Sequence, residues 1–258
     1  MSKKRSKQAV VSERWEKKEV IGRVVDEKFT RFLRVPSLEA KTIAQKEYMR
    51  QLRECQIVVA SGHAGTGKSF VASYNAAQLL SLGKIDKIYV TRPYNHLGKD
   101  AGATPGTDFE KMLPFCRPML DTIKKVLGEG KYNYCIDNGV IEVAPLEKIQ
   151  GRSFDEPCVI ICDETQNATK QQVLSLITRI GEGVEFLALC GDPRQSTSLG
   201  ENALDWVVAF FVRNNIKNVG ITLFSEQDCV RSGIVREILI AFEKEGGFYK
   251  NIKESNLR

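Results

Sequence analysis

The stretch Gly62-His63-Ala64-Gly65-Thr66-Gly67-Lys68-Ser69 constrains this chain more than any other. It fits the pattern G-x-x-x-x-G-K-[ST], whose glycines let backbone N–H groups turn inward around phosphate oxygens. With these residue frequencies, a chance match somewhere has a probability of about 1 %. The pattern also demands a strand before it and a helix after it. Gln56–Ser61 (QIVVAS) reads as a buried strand, and Phe70–Leu82 reads as a helix that stops at Gly83. The helix N-terminus adds its dipole to the loop amides. In such a loop Lys68 bridges the outer phosphates and the Ser69 hydroxyl ligates Mg²⁺. The candidate nucleotide contacts are therefore Gly62, His63, Ala64, Gly65, Thr66, Gly67, Lys68, Ser69 and Phe70. His63 fills a free position of the pattern and reads as loop filler, not as a catalyst.

From Ser37 onward, apolar β-rich runs alternate with helical patterns. Lys87–Thr91, Val140–Ala144, Cys158–Cys162, Glu185–Cys190 and Asn218–Phe224 read as further strands. Asp108–Leu127, Thr169–Ile180, Ala203–Val212 and Arg231–Phe242 read as helices, the second opened by a capping box of Thr169 and Gln172. A loop rich in Gly and Pro covers Arg92–Thr107. Near-continuous apolar strands separated by helices predict an α/β fold, a parallel sheet with helices on both faces. Ligands of such sheets bind at the carboxyl ends of the strands, and the chemically informative residues of this chain fall there.

Val159–Cys162 runs straight into Asp163 and Glu164. Beside a phosphate loop, Asp163 is placed to hold Mg²⁺ and Glu164 to orient and deprotonate an attacking water; alone, the pair also fits a helix cap. The carboxylate pair favours hydrolysis over small-molecule phosphorylation, which needs no base for water. Gly191-Asp192-Pro193-Arg194-Gln195 follows another strand; Gln195 either senses the γ-phosphate or belongs to a plain polar turn. Arg92, in Thr91-Arg92-Pro93, contacts nucleic-acid phosphate or is a plain surface arginine. Gln45 can read the edge of adenine, or can close a capping box with Thr42. Arg231 can stabilise charge on a transferring phosphoryl group, or simply end a helix.

The 258 residues suffice for one large domain, and no apolar run approaches the roughly 18 residues a membrane helix needs. Seven cysteines without a C-x-x-C pattern fit a reducing cytoplasm, and two histidines leave no zinc-ligand spacing. Of the net charge of +6, residues 1–24 carry +5 through eight Lys/Arg against three Glu. Residues 1–36 are therefore expected to be a basic arm and 37–258 the nucleotide-binding domain. Such an arm is either a solubilising tail or a contact for nucleic-acid phosphates.

Taken in order, GHAGTGKS, TRP, PGTDFEKMLPFCRPMLD, APLEKIQGRSFD, VIICDETQN, GDPRQ and DCVR resemble the PhoH family, ATPases of bacteria and bacteriophages, over about residues 40–245. The resemblance implies a RecA-like P-loop NTPase fold like the first domain of superfamily 1 helicases, with ATP and Mg²⁺ as cofactors and a cytoplasmic location. It implies that Gln45 reads adenine, that Gln195 senses the γ-phosphate, that Arg92 lies in a nucleic-acid-facing segment, and that Arg152 contacts a polymer or a neighbouring subunit. Ser69 stands where Thr is more usual, and Thr165 where Ala is usual. The length leaves no room for a fused nuclease domain, so no ribonuclease activity is expected.

The implied function is ATP hydrolysis coupled to RNA or single-stranded DNA in a helicase-like manner. The alternative is an oligomeric protein-interaction switch with slow hydrolysis. Superfamily 1 motors close their site between two RecA-like domains, and this chain holds one. A homo-oligomeric ring, a hexamer among its forms, would complete the site, with Arg231 or Arg152 donated to a neighbour.

Overall fold

In the computed structural model, which describes residues 37–94, 108–149, 151–196 and 202–245, six apolar runs lie side by side in one sheet. The basic arm over 1–36 and the Gly/Pro loop over 95–107 lie outside the described residues. In chain order the elements are α1 (Ile43–Glu54), β1 (Ile57–Gly62), α2 (Lys68–Ser81), β2 (Lys87–Arg92), α3 (Asp108–Leu127), α4 (Glu129–Asp137) and β3 (Ile141–Pro145). They continue with α5 (Leu146–Ile149), β4 (Cys158–Cys162), α6 (Lys170–Ile177), β5 (Val184–Gly191), α7 (Ala203–Arg213), β6 (Val219–Phe224) and α8 (Gly233–Lys244). The strand order is β3-β2-β4-β5-β1-β6, and every pairing is parallel.

Parallel strands need crossover helices, and covering both faces buries both sets of alternating side chains. All five residues of β4 are buried, and β1 is buried from Ile57 to Ser61. Val59, Ile160, Cys162, Leu187 and Leu189 point to the face packed with α5, α6 and α7, where Leu146, Ile149, Val173, Leu176, Leu204 and Val207 complete the core. Helices α1, α2 and α3 pack on the opposite face.

The fold agrees with the α/β expectation, with instructive shifts. The helix expected over Thr169–Ile180 stops at Ile177; Leu174 is exposed, and Ile180 forms a bridge to Phe154 instead. The capping box of Thr169 and Gln172 is present. The last helix begins at Gly233, two residues after Arg231, which leaves that arginine on a turn.

All seven cysteines are free, and six are buried. Burial pushes the Cys116, Cys158, Cys162 and Cys190 thiols up to about 12. Thiolate is the reactive form. Native protein at pH 8 is therefore expected to show one thiol that reacts ahead of the rest toward an aromatic disulfide reagent, the half-exposed Cys55, and seven after unfolding. Several fast thiols in the native state would contradict this packing.

Candidate functional site

The loop after β1 exists because two glycines occupy backbone that other residues resist. At Gly62, φ is 137°, and a Cβ would stand 1.9 Å from the Phe224 carbonyl oxygen, so only glycine lets the end of β6 pass. Gly67 caps α2 at φ 88° with no side-chain hydrogen bond to the helix end, where first-turn amides make an anion site.

Lys68 is buried, and its Nζ donates to the Gly62 and His63 carbonyls at 2.7 Å each. Desolvation pulls its pKa down, while the Asp192, Asp163 and Glu164 carboxylates push it back up. Across the loop, Ser69 Oγ donates to Asp163 Oδ1 at 2.6 Å. Asp163 leaves the end of β4, and its N–H donates to the Thr91 carbonyl of β2 at 2.9 Å. Burial raises the Asp163 pKa, and the Ser69 hydrogen bond opposes that shift.

One cleft of about 240 Å³ gathers these groups. Ala64, Gly65, Gly67, Lys68, Ser69 and Phe70 line it from the loop, and Asp163 and Glu164 from β4. Gly191, Asp192 and Gln195 line it from the end of β5, and Arg231 from the turn before α8. That volume falls below the ~300–1,000 Å³ of whole small-molecule pockets. It has room for a chain of phosphates but not for a whole nucleotide, and Phe70 at its rim is 46 % exposed. Among the described residues no three His, Cys, Asp or Glu side chains stand together as metal ligands. The oxygen pair of Ser69 and Asp163 fits Mg²⁺, which takes one or two protein oxygens together with phosphate and water.

Gln166 is the residue that sequence reasoning passed over. Its side chain is fully buried; Nε2 donates to Glu164 Oε2 at 2.5 Å, and Oε1 accepts from the Asp192 N–H at 3.2 Å. Asp192 Oδ2 in turn accepts from the Ala64 N–H at 3.2 Å and from Gln195 Nε2 at 3.1 Å. One amide thus ties the acid pair, the β5 turn and the phosphate loop together. It also holds Glu164 in the left-handed region, φ 53°, a conformation that costs a non-glycine residue of order 1–3 kcal/mol. The available signal was the polar residue two places after the acid pair in DETQN. Gln166→Leu is expected to cost about 2 kcal/mol, because the buried Asp192 N–H and the half-buried Glu164 carboxylate both lose their partner. Urea unfolding measures this, and an unchanged midpoint would contradict the linkage.

The other expected residues fall in distinct places. Gln45 is 5 % exposed; its Nε2 donates to the Thr66 carbonyl at 2.9 Å and its Oε1 accepts from the Lys41 N–H at 2.8 Å. Its backbone N–H donates to Thr42 Oγ1, so the capping contact is also present, and the side chain braces the loop from behind. The His63 ring is held between Arg194 and Glu226 Oε2, the latter at 3.4 Å. Arg92, the last residue of β2, donates from Nη1 to the Phe115 carbonyl at 3.1 Å.

Arg231 lies at the cleft of its own chain. Its side chain lies across Gly65 of its own chain, where a Cβ on residue 65 would meet it at 2.9 Å, and the Val230 N–H donates to the Gly65 carbonyl. The turn before α8 brings it there. Arg152 stands elsewhere: it pairs with Glu142, which also pairs with Lys87, the first residue of β2. That group lies toward the amino ends of the strands, away from the cleft.

A parallel sheet with this loop at the end of one strand, and an acid pair two strands away facing it, defines a P-loop nucleoside triphosphatase. The family model for PhoH-like proteins matches residues 37–243, and the chain belongs to the PhoH family. It is 33 % identical over 220 residues to the PhoH-like protein of Bacillus subtilis strain 168, covering 85 % of this chain and 68 % of that protein. It is 35 % identical over 210 residues to Protein PhoH of Escherichia coli K12, covering 79 % of this chain and 57 % of that protein. Among solved structures, the UvsW helicase from bacteriophage T4 aligns with a TM-score of 0.44 at 16 % identity, over 73 % of this chain and 60 % of that one. Among the described residues no helix is long and apolar enough to cross a membrane.

Proposed function

We propose that this chain hydrolyses ATP with Mg²⁺ and couples the turnover to binding RNA or single-stranded DNA, as a helicase-like cytoplasmic protein. The observation that carries the reading is the 2.6 Å contact between Ser69 and Asp163 in the cleft that Lys68 and Glu164 also line. Mg²⁺, when bound, neutralises charge on the β- and γ-phosphate oxygens. Ser69 Oγ and Asp163 would hold it. The Lys68 ammonium moves from the Gly62 and His63 carbonyls to the outer phosphates, exchanging two neutral acceptors for charged ones. Glu164, held by Gln166, takes the proton of the attacking water. Arg231 adds cationic charge beside the γ-phosphate, and Gln195 reports its presence through Asp192. Gln45 keeps Thr66 in place near the adenine.

The basic arm over 1–36 and Arg92 support the polymer part of the reading. Turnover by purified protein, with and without RNA and single-stranded DNA, tests it against Lys68→Ala. The expected result is turnover stimulated by a polymer, with stimulation falling as salt rises, and none in the variant. Wild-type turnover equal to that of Lys68→Ala would overturn the ATPase. A turnover that no polymer changes would overturn the coupling.

A second reading, an oligomeric protein-interaction switch with slow hydrolysis, is favoured by α8. That helix follows Arg231 closely and leaves Ile234 62 % and Ile238 58 % exposed, four residues apart on one face. A homo-oligomeric ring fits either reading. Mass measured in solution with and without nucleotide distinguishes a ring from a monomer.

A further inference from the structure

The carboxyl end of β2 carries an arrangement that phosphate chemistry does not use. Arg92 holds its guanidinium over the Phe115 ring, 5.3 Å from the centroid, while donating to the carbonyl of the same residue. Phe115 is 39 % exposed, although α3 has a full apolar face in Met112, Cys116, Met119, Leu120 and Ile123. Helix spacing sets Lys111, Phe115 and Pro118 in one stripe. The acids Glu110 and Asp121 fall on the neighbouring stripe, with Arg117 between them. The ring is thus flanked by two cations, Arg92 over its face and Lys111 one turn away.

We propose that Arg92 and Phe115 form a stacking site for one base of a single-stranded nucleic acid, with Lys111 beside it for the backbone phosphate. This rests on the polymer reading above and names where the polymer touches the folded body. Single-stranded nucleic acids are held by flat side chains, aromatic rings or guanidinium planes, together with nearby cations. A guanidinium fixed against a ring presents such a plane, and its remaining N–H groups can reach phosphate. The position also joins the polymer to the cleft. Thr91, the preceding residue, accepts the Asp163 N–H, so a base on Arg92 sits one residue from the strand contact that seats the carboxylate.

The test is fluorescence anisotropy of the full chain with a labelled 12-nucleotide single-stranded RNA and the same sequence as DNA, for wild type, Phe115→Leu, Phe115→Tyr, Arg92→Lys and Phe115→Leu/Arg92→Lys. Leucine keeps the packing volume but removes the plane, and melting temperatures confirm that each variant folds. Phe115→Leu is expected to weaken binding about ten-fold, and Phe115→Tyr to restore it. The double variant should bind no more weakly than about the worse single one, because the two side chains act as a unit. Wild-type affinity in folded Phe115→Leu overturns this site and leaves the polymer reading standing. If wild type binds neither oligonucleotide while still hydrolysing ATP, the polymer reading fails and this site with it.

Discussion

Arg231→Ala is expected to lower ATP turnover by about 10³-fold or more, with ATP affinity changed only a few-fold. Supplying an arginine to a transferring phosphoryl group is worth ~10³–10⁵ in rate, because the charge it meets develops in the transition state. Arg231 lines the same cleft as Lys68, Asp163 and Glu164, and its side chain crosses Gly65 of its own loop. The geometry makes a further demand. Mixing Arg231→Ala subunits with Glu164→Gln subunits should recover no activity, since each cleft then lacks a residue that only its own chain supplies. Recovery on mixing would mean that Arg231 crosses between subunits and that its seat on Gly65 is not the working one. A turnover loss below about three-fold would remove it from the chemistry.

Glu164→Gln is expected to cut kcat by ~10²–10⁴, the usual range for a general base, while ATP still binds. The amide oxygen of the new glutamine can still accept from Gln166 Nε2, so the buried link to Asp192 survives. Stopped-flow nucleotide binding and steady-state turnover separate the two quantities. A loss confined to KM would assign Glu164 to binding. Retained kcat would leave the attacking water without its base.

Much of this was legible in the sequence because the decisive features are local. A strand, a glycine-rich turn and a helix N-terminus are contiguous, so the loop before Lys68 could be read directly. An apolar strand ending in two acids is equally local. What could not be read depends on chain segments far apart. The Gly62 close approach needs the end of β6, more than 150 residues later. The Arg231 seat depends on α8 starting at Gly233, and the helical pattern of residues 231–242 does not reveal that start. Helix α4 went unread: Gly130 stands in its first turn, and Cys135 is its one buried side chain. Gln166 is read only when the ends of β4 and β5 meet, because its two amide ends serve different strands. The ion pair of Arg152 depends on the turn after α5 bringing it back beside Glu142 of β3.

The most direct check of the central claim is a crystal grown with a non-hydrolysable ATP analogue and Mn²⁺ in place of Mg²⁺, with the metal located by its anomalous scattering. The account predicts one strong peak with Ser69 Oγ in its coordination shell, Asp163 reached directly or through one water, and the phosphate chain along residues 62–68. A metal peak remote from Ser69, or a phosphate chain bound away from the loop before Lys68, would contradict it.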